Sequence, residues 1–328
     1  MSQKINVGLV GYGMAGEFFH APLIHATEGF VLHSVVERNQ SRSKERYPNV
    51  QIVRDYKELL ADKDIDLIVL ATPNDTHFEY AQMALMAGKH VVIDKPFVTK
   101  TADGETLIRL AKEKNLVLSV YQNRRLDGDF LTVKKLIEQK AVGDLNEYRG
   151  HYDRFRPELR LNSWKEDAGI FVDLGPHLID QALHLFGKPL SVSTKTEVQR
   201  TNAKAVDYFE VSLNYPNFKA FLSAGMLYET PRPRFELVGT EGTFAKFGLD
   251  PQENCLKAGQ IPCGKDWGKE PEENWGTLKT STKTEKIPTE NGNYPAYYAN
   301  IYSSILGKSE VLVKPEEALE AIRIIENN

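Results

Sequence analysis

Two hydrophobic rhythms divide the chain. Through residue 123, apolar runs without polar alternation occur at "KINVGLVG" (4–11), "FVLHSVV" (30–36), "IDLIVLAT" (65–72), "HVVID" (90–94) and "LVLSVYQN" (116–123). Between them lie stretches with helical apolar spacing at 17–26, 55–62, 77–88 and 103–115. Strands that are apolar on both faces and alternate with amphipathic helices predict a doubly wound parallel sheet covered on both sides. Ligands of such sheets bind beyond the carboxyl ends of the strands, so the strand-ending residues carry the candidate chemistry.

From residue 124 the pattern changes. A helix is predicted at 129–141, followed by an alternating stretch at 145–157 in which Tyr148, Gly150, Tyr152 and Arg154 share a side. A second helix is expected at 176–187, then strand-like runs at 190–199, 207–215, 218–227 and 234–248. Consecutive strands on short connections predict an antiparallel sheet and an α+β second domain. Residues 250–295, rich in Gly, Pro, Lys and Glu, read as a long surface excursion without an assigned role, and helices at 296–307 and 315–328 close the chain. The expected division is a dinucleotide-binding Rossmann domain over 1–123 and a second domain over 124–328.

Composition narrows the function classes. A chain of 328 residues suits two cores better than one, and 41% hydrophobic residues are ample for packing. With 41 basic and 45 acidic residues the net charge is -4, which argues against a nucleic-acid partner. No secretory signal pattern and no apolar run near the roughly 20 residues that span a bilayer is present, so a cytoplasmic protein without a membrane partner is expected. Cys255 and Cys263, lacking a CxxC spacing, are expected to be free thiols.

The strand ends hold the motifs. Gly11, Gly13 and Gly16, with Tyr12 and Met14 among them, form G-x-G-x-x-G directly after the first strand and at the start of a helix. Glycines there permit a tight turn and close approach of a pyrophosphate, and the helix start supplies N–H groups to the phosphates. About 20 residues on, Glu37 ends the second strand, where a carboxylate accepts from the adenosine ribose hydroxyls. That tips the expectation toward NAD, while Arg38 next to it suits the 2'-phosphate of NADP. "ATPNDTH" (71–77), with Thr72, Pro73, Asn74 and His77, and "DKPF" (94–97), with Asp94, Lys95 and Pro96, end two further strands and project toward the same edge. Lys95 there can stabilise the alkoxide that develops as hydride leaves a substrate carbinol, and Pro96 restricts it and allows a cis bond.

An acid–base partner is expected from the second domain, and "DLGPHLID" (173–180) offers it. With Pro176 read as the first turn of a helix, Asp173 and His177 fall at its amino end. The imidazole is then placed to accept the hydroxyl proton, with the carboxylate orienting it. His177, Asp180 and His184 are also spaced as metal ligands, but the apolar residues between them favour a packed face, and no metal is expected.

These segments together, "GYGMAGEFFHAPLI", "ATPNDTHFEYA", "AGKHVVIDKPF", "YQNRR", "DRFRPE", "DLGPHLIDQALHLFG" and "GNYPAYY", resemble the glucose-fructose oxidoreductase/inositol dehydrogenase (Gfo/Idh/MocA) family over nearly the whole chain. The subgroup most resembled contains NADP-dependent scyllo-inositol dehydrogenases. The resemblance implies a Rossmann domain and a C-terminal α+β domain with a large, open, mainly antiparallel sheet whose face forms a homodimer or homotetramer contact. It carries the catalytic lysine of an E-K-P motif onto Lys95 and a D-x-x-x-H pair onto Asp173 and His177. It also places Asn123 with the cofactor and Arg124, Arg154 and Arg156 with the substrate, alongside Lys95, Asp173 and His177. Such polar donors suit a cyclic polyol or sugar, with inositols first. Two departures stand out: Asp94 replaces the usual glutamate, and the chain stops at "RIIENN", where relatives usually continue a little further. The implied activity is hydride transfer between NAD or NADP and a secondary hydroxyl. The alternatives are a glycosidase using bound NAD for transient oxidation and a non-catalytic cofactor-sensing regulator.

Overall fold

The computed structural model describes residues 3–159 and 169–327; Asn328, the last residue of the helix expected at 315–328, lies outside them. The chain forms two compact units, the first comprising 1–123, 252–267 and 293–326, the second 124–251 and 268–292 with the last two residues.

The first unit is built on six parallel strands, β1 (Ile5–Val10), β2 (Phe30–Val36), β3 (Gln51–Val53), β4 (Leu67–Leu70), β5 (His90–Asp94) and β6 (Leu118–Tyr121). Their order is β3-β2-β1-β4-β5-β6, so the direction of winding reverses between β1 and β4. Val7, Leu9, all of β4 and Val91–Ile93 are fully buried, which explains why these strands read as unbroken apolar runs. The short strand β3 and the helical turn Ser43–Arg46 were not visible as apolar patterns, because Gln51–Val53 contributes no fully buried residue. The helix Pro315–Glu326 packs on the helix Thr101–Glu113. Gly104 makes that approach possible, since a Cβ there would sit 2.4 Å from Leu319. Behind β6, Tyr297 Oη donates to Ser119 Oγ (3.0 Å), which donates to Val313 O (2.8 Å).

The second unit holds β7 (Leu145–His151), β8 (Ser191–Glu197), β9 (Tyr208–Asn214), β10 (Lys219–Gly225), β11 (Phe235–Gly239), β12 (Gly242–Lys246), β13 (Gly276–Thr280) and β14 (Thr284–Ile287), ordered β14-β13-β12-β11-β7-β10-β9-β8. All neighbours are antiparallel except β7 and β10. Tyr148, Phe209, Val211, Leu222, Leu237, Phe244 and Leu278 alternate inward to one buried face, against which the helices Gly128–Glu138 and Ile170–Phe186 pack. The other face carries Arg149, Glu210, Ser212, Lys219 and Phe221, and no helix of the described residues of this unit covers it.

Three expectations are corrected. The run 234–248 is a hairpin, with Phe235 paired to Lys246 and a turn at Thr240–Glu241; glycines at 239 and 242 supply the break. Residues 250–295 are not merely a surface excursion. They hold β13 and β14, and their few apolar residues are anchors: Leu256, Trp267 and Leu278 are buried, and Gln252 Oε1 accepts from both Trp267 Nε1 (2.8 Å) and Tyr294 N (2.7 Å). The helix expected at 176 begins at Ile170, so Pro176 lies within it. Ile170, Phe171, Leu174 and Leu178 form a buried stripe that extends the helix upstream, and Gly175, lacking a Cβ, relieves the clash that proline imposes on the residue before it.

Arg125, 3% exposed, forks onto Asp180 through Nε (2.7 Å) and Nη2 (2.6 Å). Breaking such a pair leaves a buried charge without its partner. Arg125→Ala is expected to destabilise the protein by about 3 to 5 kcal/mol, read as a lowered urea midpoint, with the double variant Arg125→Met/Asp180→Leu recovering most of the loss.

Candidate active site

Every candidate of the first unit lies on the carboxyl edge of the parallel sheet, because each follows the last residue of a strand: the glycine turn after β1, Glu37 and Arg38 after β2, Thr72–Asn74 after β4, Asp94–Pro96 at β5, and Asn123 after β6. The β1 and β4 ends meet closely. A Cβ on Gly11, whose φ is +95°, would lie 2.5 Å from Ala71 O, and one on Gly16 would lie 2.1 Å from Gly11 O. Nothing would meet a Cβ on Gly13 within 4 Å, so that side of the turn is open to a ligand. Helix follows at once from Met14, which is 47% exposed, while Tyr12 is buried. A turn closed against β4, open at its second glycine and followed by helical N–H groups fits a pyrophosphate.

Glu37 does not stand free at the end of β2. Its Oε2 accepts from Arg42 N (3.0 Å), and its Oε1 from Ser43 N (3.0 Å) and Ser43 Oγ. The carboxylate caps the turn that follows. Arg54 holds the same loop through the carbonyls of Glu37 and Gln40 and the Ser41 hydroxyl, and Arg42 pairs with Glu17. Arg38 is exposed and makes no such contact among the described residues.

The β4 and β5 ends are joined by His77. Its ring is fully buried, with Nδ1 2.8 Å from Pro96 O and Nε2 3.0 Å from Thr72 O. Burial pulls its pKa down, opposed by Asp94 and by the backbone carbonyls of Pro96, Thr72 and Phe97. His77, expected among the cofactor contacts, thus faces inward and ties two loops together. The Lys95–Pro96 bond is cis, and Lys95 N donates to Asp94 Oδ1 at 2.8 Å. Burial alone would raise the Asp94 pKa; the facing His20 ring, with Lys95 and His77 beside it, outweighs burial and holds the carboxyl below its usual range.

In the second unit Asp173 and His177 stand one turn apart on the helix Ile170–Phe186, 3% and 6% exposed. Asp173 Oδ2 lies 3.7 Å from Arg154 Nη1, which is beyond a hydrogen bond but close enough for attraction in a part-buried setting. Arg124 is buried, donating to Asp127 Oδ2 (3.1 Å) and Tyr152 Oη (2.8 Å). Arg156 is part-exposed and its backbone N–H donates to Met226 O. Asp180 and His184, the other members of the metal-like spacing, both face the Arg125 guanidinium. Sequence reading set Tyr152 on one side with Arg154 but gave it no role: the guanidinium carbons of Arg124, Arg154 and Arg234 lie 5.1, 5.1 and 5.4 Å from its ring centre. Its place in an alternating strand beside Arg154 was the available signal.

Residues 5–122 match the family model described as "Oxidoreductase family, NAD-binding Rossmann fold", and residues 134–328 match "Oxidoreductase family, C-terminal alpha/beta domain". The chain is 40% identical to the scyllo-inositol 2-dehydrogenase (NADP(+)) IolW of Bacillus subtilis (strain 168), over 98% of this chain and 92% of that protein. It is 42% identical to the uncharacterized oxidoreductase YdgJ of Escherichia coli (strain K12), over 99% and 96%. Among solved structures, the oxidoreductase yvaA of Bacillus subtilis superposes with a TM-score of 0.94 at 40% identity, covering 99% of this chain and 96% of that one. An oxidoreductase of Bacteroides fragilis gives 0.93 at 44%, with the same coverage. Matches of this extent include both the glycine turn and the segments bearing Lys95, Asp173 and His177. The non-catalytic reading falls away. This chain belongs to the Gfo/Idh/MocA family and is an NAD(P)-dependent oxidoreductase acting on CH–OH groups.

Proposed function

We propose that the chain moves hydride between NADP and a secondary hydroxyl, or the matching ketone, of a cyclic polyol, with inositols the first substrates to test. The observation that carries this is Lys95, an ammonium-bearing residue at the carboxyl end of a buried strand in a sheet whose glycine turn fits a dinucleotide. The scyllo-inositol 2-dehydrogenase named among the relatives supports the polyol class. When bound, the dinucleotide supplies the hydride acceptor, or the donor in reverse. In oxidation, the carbinol carbon loses hydride while its hydroxyl loses a proton; His177 takes the proton, Asp173 orients the imidazole, and the Lys95 ammonium stabilises the developing alkoxide. Arg154, attracted to Asp173, is left part-exposed and offers donors to ring hydroxyls.

The preference for NADP over NAD rests on Glu37 and Arg38. A carboxylate already holding three donors of its own loop is a poorer acceptor for ribose hydroxyls, and the uncommitted guanidinium beside it suits a 2'-phosphate. The open face of the eight-stranded sheet, with Arg149 over Phe221 (5.7 Å), is proposed as the homo-oligomer contact.

Lys95→Ala or His177→Ala is expected to lower kcat by on the order of a hundredfold or more while dinucleotide affinity stays nearly intact; wild-type turnover of scyllo- or myo-inositol by either variant would remove that residue from the mechanism. Calorimetric titration with 2',5'-ADP and 5'-ADP tests the cofactor assignment, with the 2'-phosphate expected to add about tenfold or more in affinity and Arg38→Ala to abolish most of that gain. Equal affinity for the two would turn the preference to NAD. Phe221→Glu is expected to lower the mass seen by light scattering, and an unchanged mass would exclude this face.

A further inference from the structure

His20 belongs to the cluster at the end of β5 and has no part in the hydride-transfer steps proposed. It closes a π-helical stretch, Gly16–His20, in the helix that follows the glycine turn, and its ring is completely buried. The ring packs against Tyr121 (centroids 4.6 Å apart), and its Nδ1 lies 2.6 Å from Tyr298 Oη. Its Nε2 has no hydrogen-bond partner among the described residues and lies 3.8 Å from Asp94 Oδ1. That same oxygen accepts the backbone N–H of Lys95. A buried ring nitrogen without a partner is costly and calls for an explanation.

We infer that Tyr298 and His20 are positioning residues that act on Lys95 through Asp94, as a buried tyrosine–histidine–carboxylate relay. The tautomer follows from the partners. If Nδ1 donated to Tyr298, the lone pair of Nε2 would face a carboxylate oxygen. With the phenol donating to Nδ1, the proton sits on Nε2 and faces that oxygen instead. Tyr298 therefore fixes which way the imidazole is polarised, and the imidazole favours the ionised form of Asp94. The groups around that carboxylate come from four other segments: His20 from the helix after β1, His77 from the helix after β4, Tyr121 from the paired strand β6, and Tyr298 from the helix Pro295–Ile305, with Lys95 adjacent in sequence. An ionised Asp94 keeps its hold on the Lys95 backbone and sets a negative charge beside the root of that side chain.

Asp94 Oδ1 lies 3.8 Å from His20 Nε2, outside hydrogen-bond range, and a glutamate would carry its carboxylate one methylene further from the backbone. The relay is thus electrostatic in this chain, and Asp94→Glu should convert it to a direct hydrogen bond.

The inference rests on Lys95 acting on substrate, and the test separates the two. Turnover of scyllo-inositol with NADP is followed across pH for wild type, Tyr298→Phe, His20→Ala and His20→Gln, with dinucleotide affinity measured in parallel by calorimetry. The Asp94 carboxyl is titrated by carbon NMR. Losing the imidazole leaves burial less opposed and raises the pH at which Asp94 protonates, so the acid limb of kcat should move upward. The expected shift is about one pH unit in His20→Ala, with kcat down about tenfold at the optimum and dinucleotide affinity within about twofold. Tyr298→Phe should move the limb the same way by less. His20→Gln, whose amide can still donate toward Asp94, should recover most of the loss. In an Asp94→Asn background His20→Ala should add no further loss, since the two act as one unit. Independent, multiplying effects of His20→Ala and Asp94→Asn would overturn the relay. So would an unshifted Asp94 titration in Tyr298→Phe, which keeps the ring and its packing. Full activity of Lys95→Ala would instead overturn the function assigned to that lysine.

Discussion

Thr72 and Pro96 follow two neighbouring parallel strands, and both turn their carbonyls onto one buried imidazole. Burial opposes the charged ring, while both carbonyls and the nearby Asp94 favour it, because only a ring with both N–H groups donates to Pro96 O and Thr72 O at once. That arrangement fixes the separation of the β4 and β5 loops. Thr72 continues toward Pro73 and Asn74, and Pro96 is the residue that Lys95 precedes, so the loop next to the glycine turn and the loop bearing the ammonium are held as one piece. The Gly11 and Gly16 contacts do the same for the β1 and β4 loops. Three strand ends are therefore locked in series, and the chemistry attributed to Lys95 inherits its precision from backbone contacts rather than from its own long, flexible side chain.

The second unit achieves rigidity differently, with charge. Arg124, Arg125 and Arg234 are buried, and each is matched: Arg124 by Asp127, Arg125 by Asp180, Arg234 by Gln181 and a backbone carbonyl. Burying guanidiniums is unfavourable unless most of their N–H groups find acceptors, and Arg234 Nε finds none among the described residues. Two of them face the ring of Tyr152, and the helix carrying Asp173 and His177 also supplies Asp180 and Gln181 to the network. The helix is thereby anchored within and beside its apolar stripe, and Arg154, the third cation over Tyr152, keeps part of its surface exposed beside Asp173.

How much of this could be seen in sequence follows from which interactions leave a periodic trace. The parallel strands were legible because burial on both faces leaves unbroken apolar runs, and the glycine turn because its spacing reports backbone needs directly. β13 and β14 were hidden. Leu278 is their one buried side chain beyond a glycine, and an edge strand of an open sheet carries polar residues on its outer face. The upstream extension of the helix to Ile170 was hidden by Pro176, which ordinarily marks a first turn and here sits behind a glycine that makes room for it. Lys95, Asp173 and His177 drew attention as candidates because they end a strand or flank a glycine-proline break. His20 was not, because within "EFFHAPLI" it reads as one polar residue on an amphipathic helix. Its partner Tyr298 is some 280 positions away in the chain, and no local pattern encodes that distance.

Glu37 shows a different limit. Its identity and position match the acidic residue that reads ribose, yet the property that matters is what its oxygens already accept. Three donors from Arg42 and Ser43 stabilise the carboxylate where it is, and a ribose hydroxyl must compete with them or use a remaining lone pair in a poorer direction. The turn Ser43–Arg46 that supplies those donors is only four residues long and has no apolar signature, so the competition is invisible until the loop is folded. Arg38 is the complement of the same fact. Arg42 and Arg54 are drawn off by Glu17 and by loop carbonyls, while the guanidinium adjacent to the capped carboxylate makes no such contact among the described residues. The charges left uncommitted at this strand end thus depend on which groups the loop consumes in folding, and not only on which residues it contains.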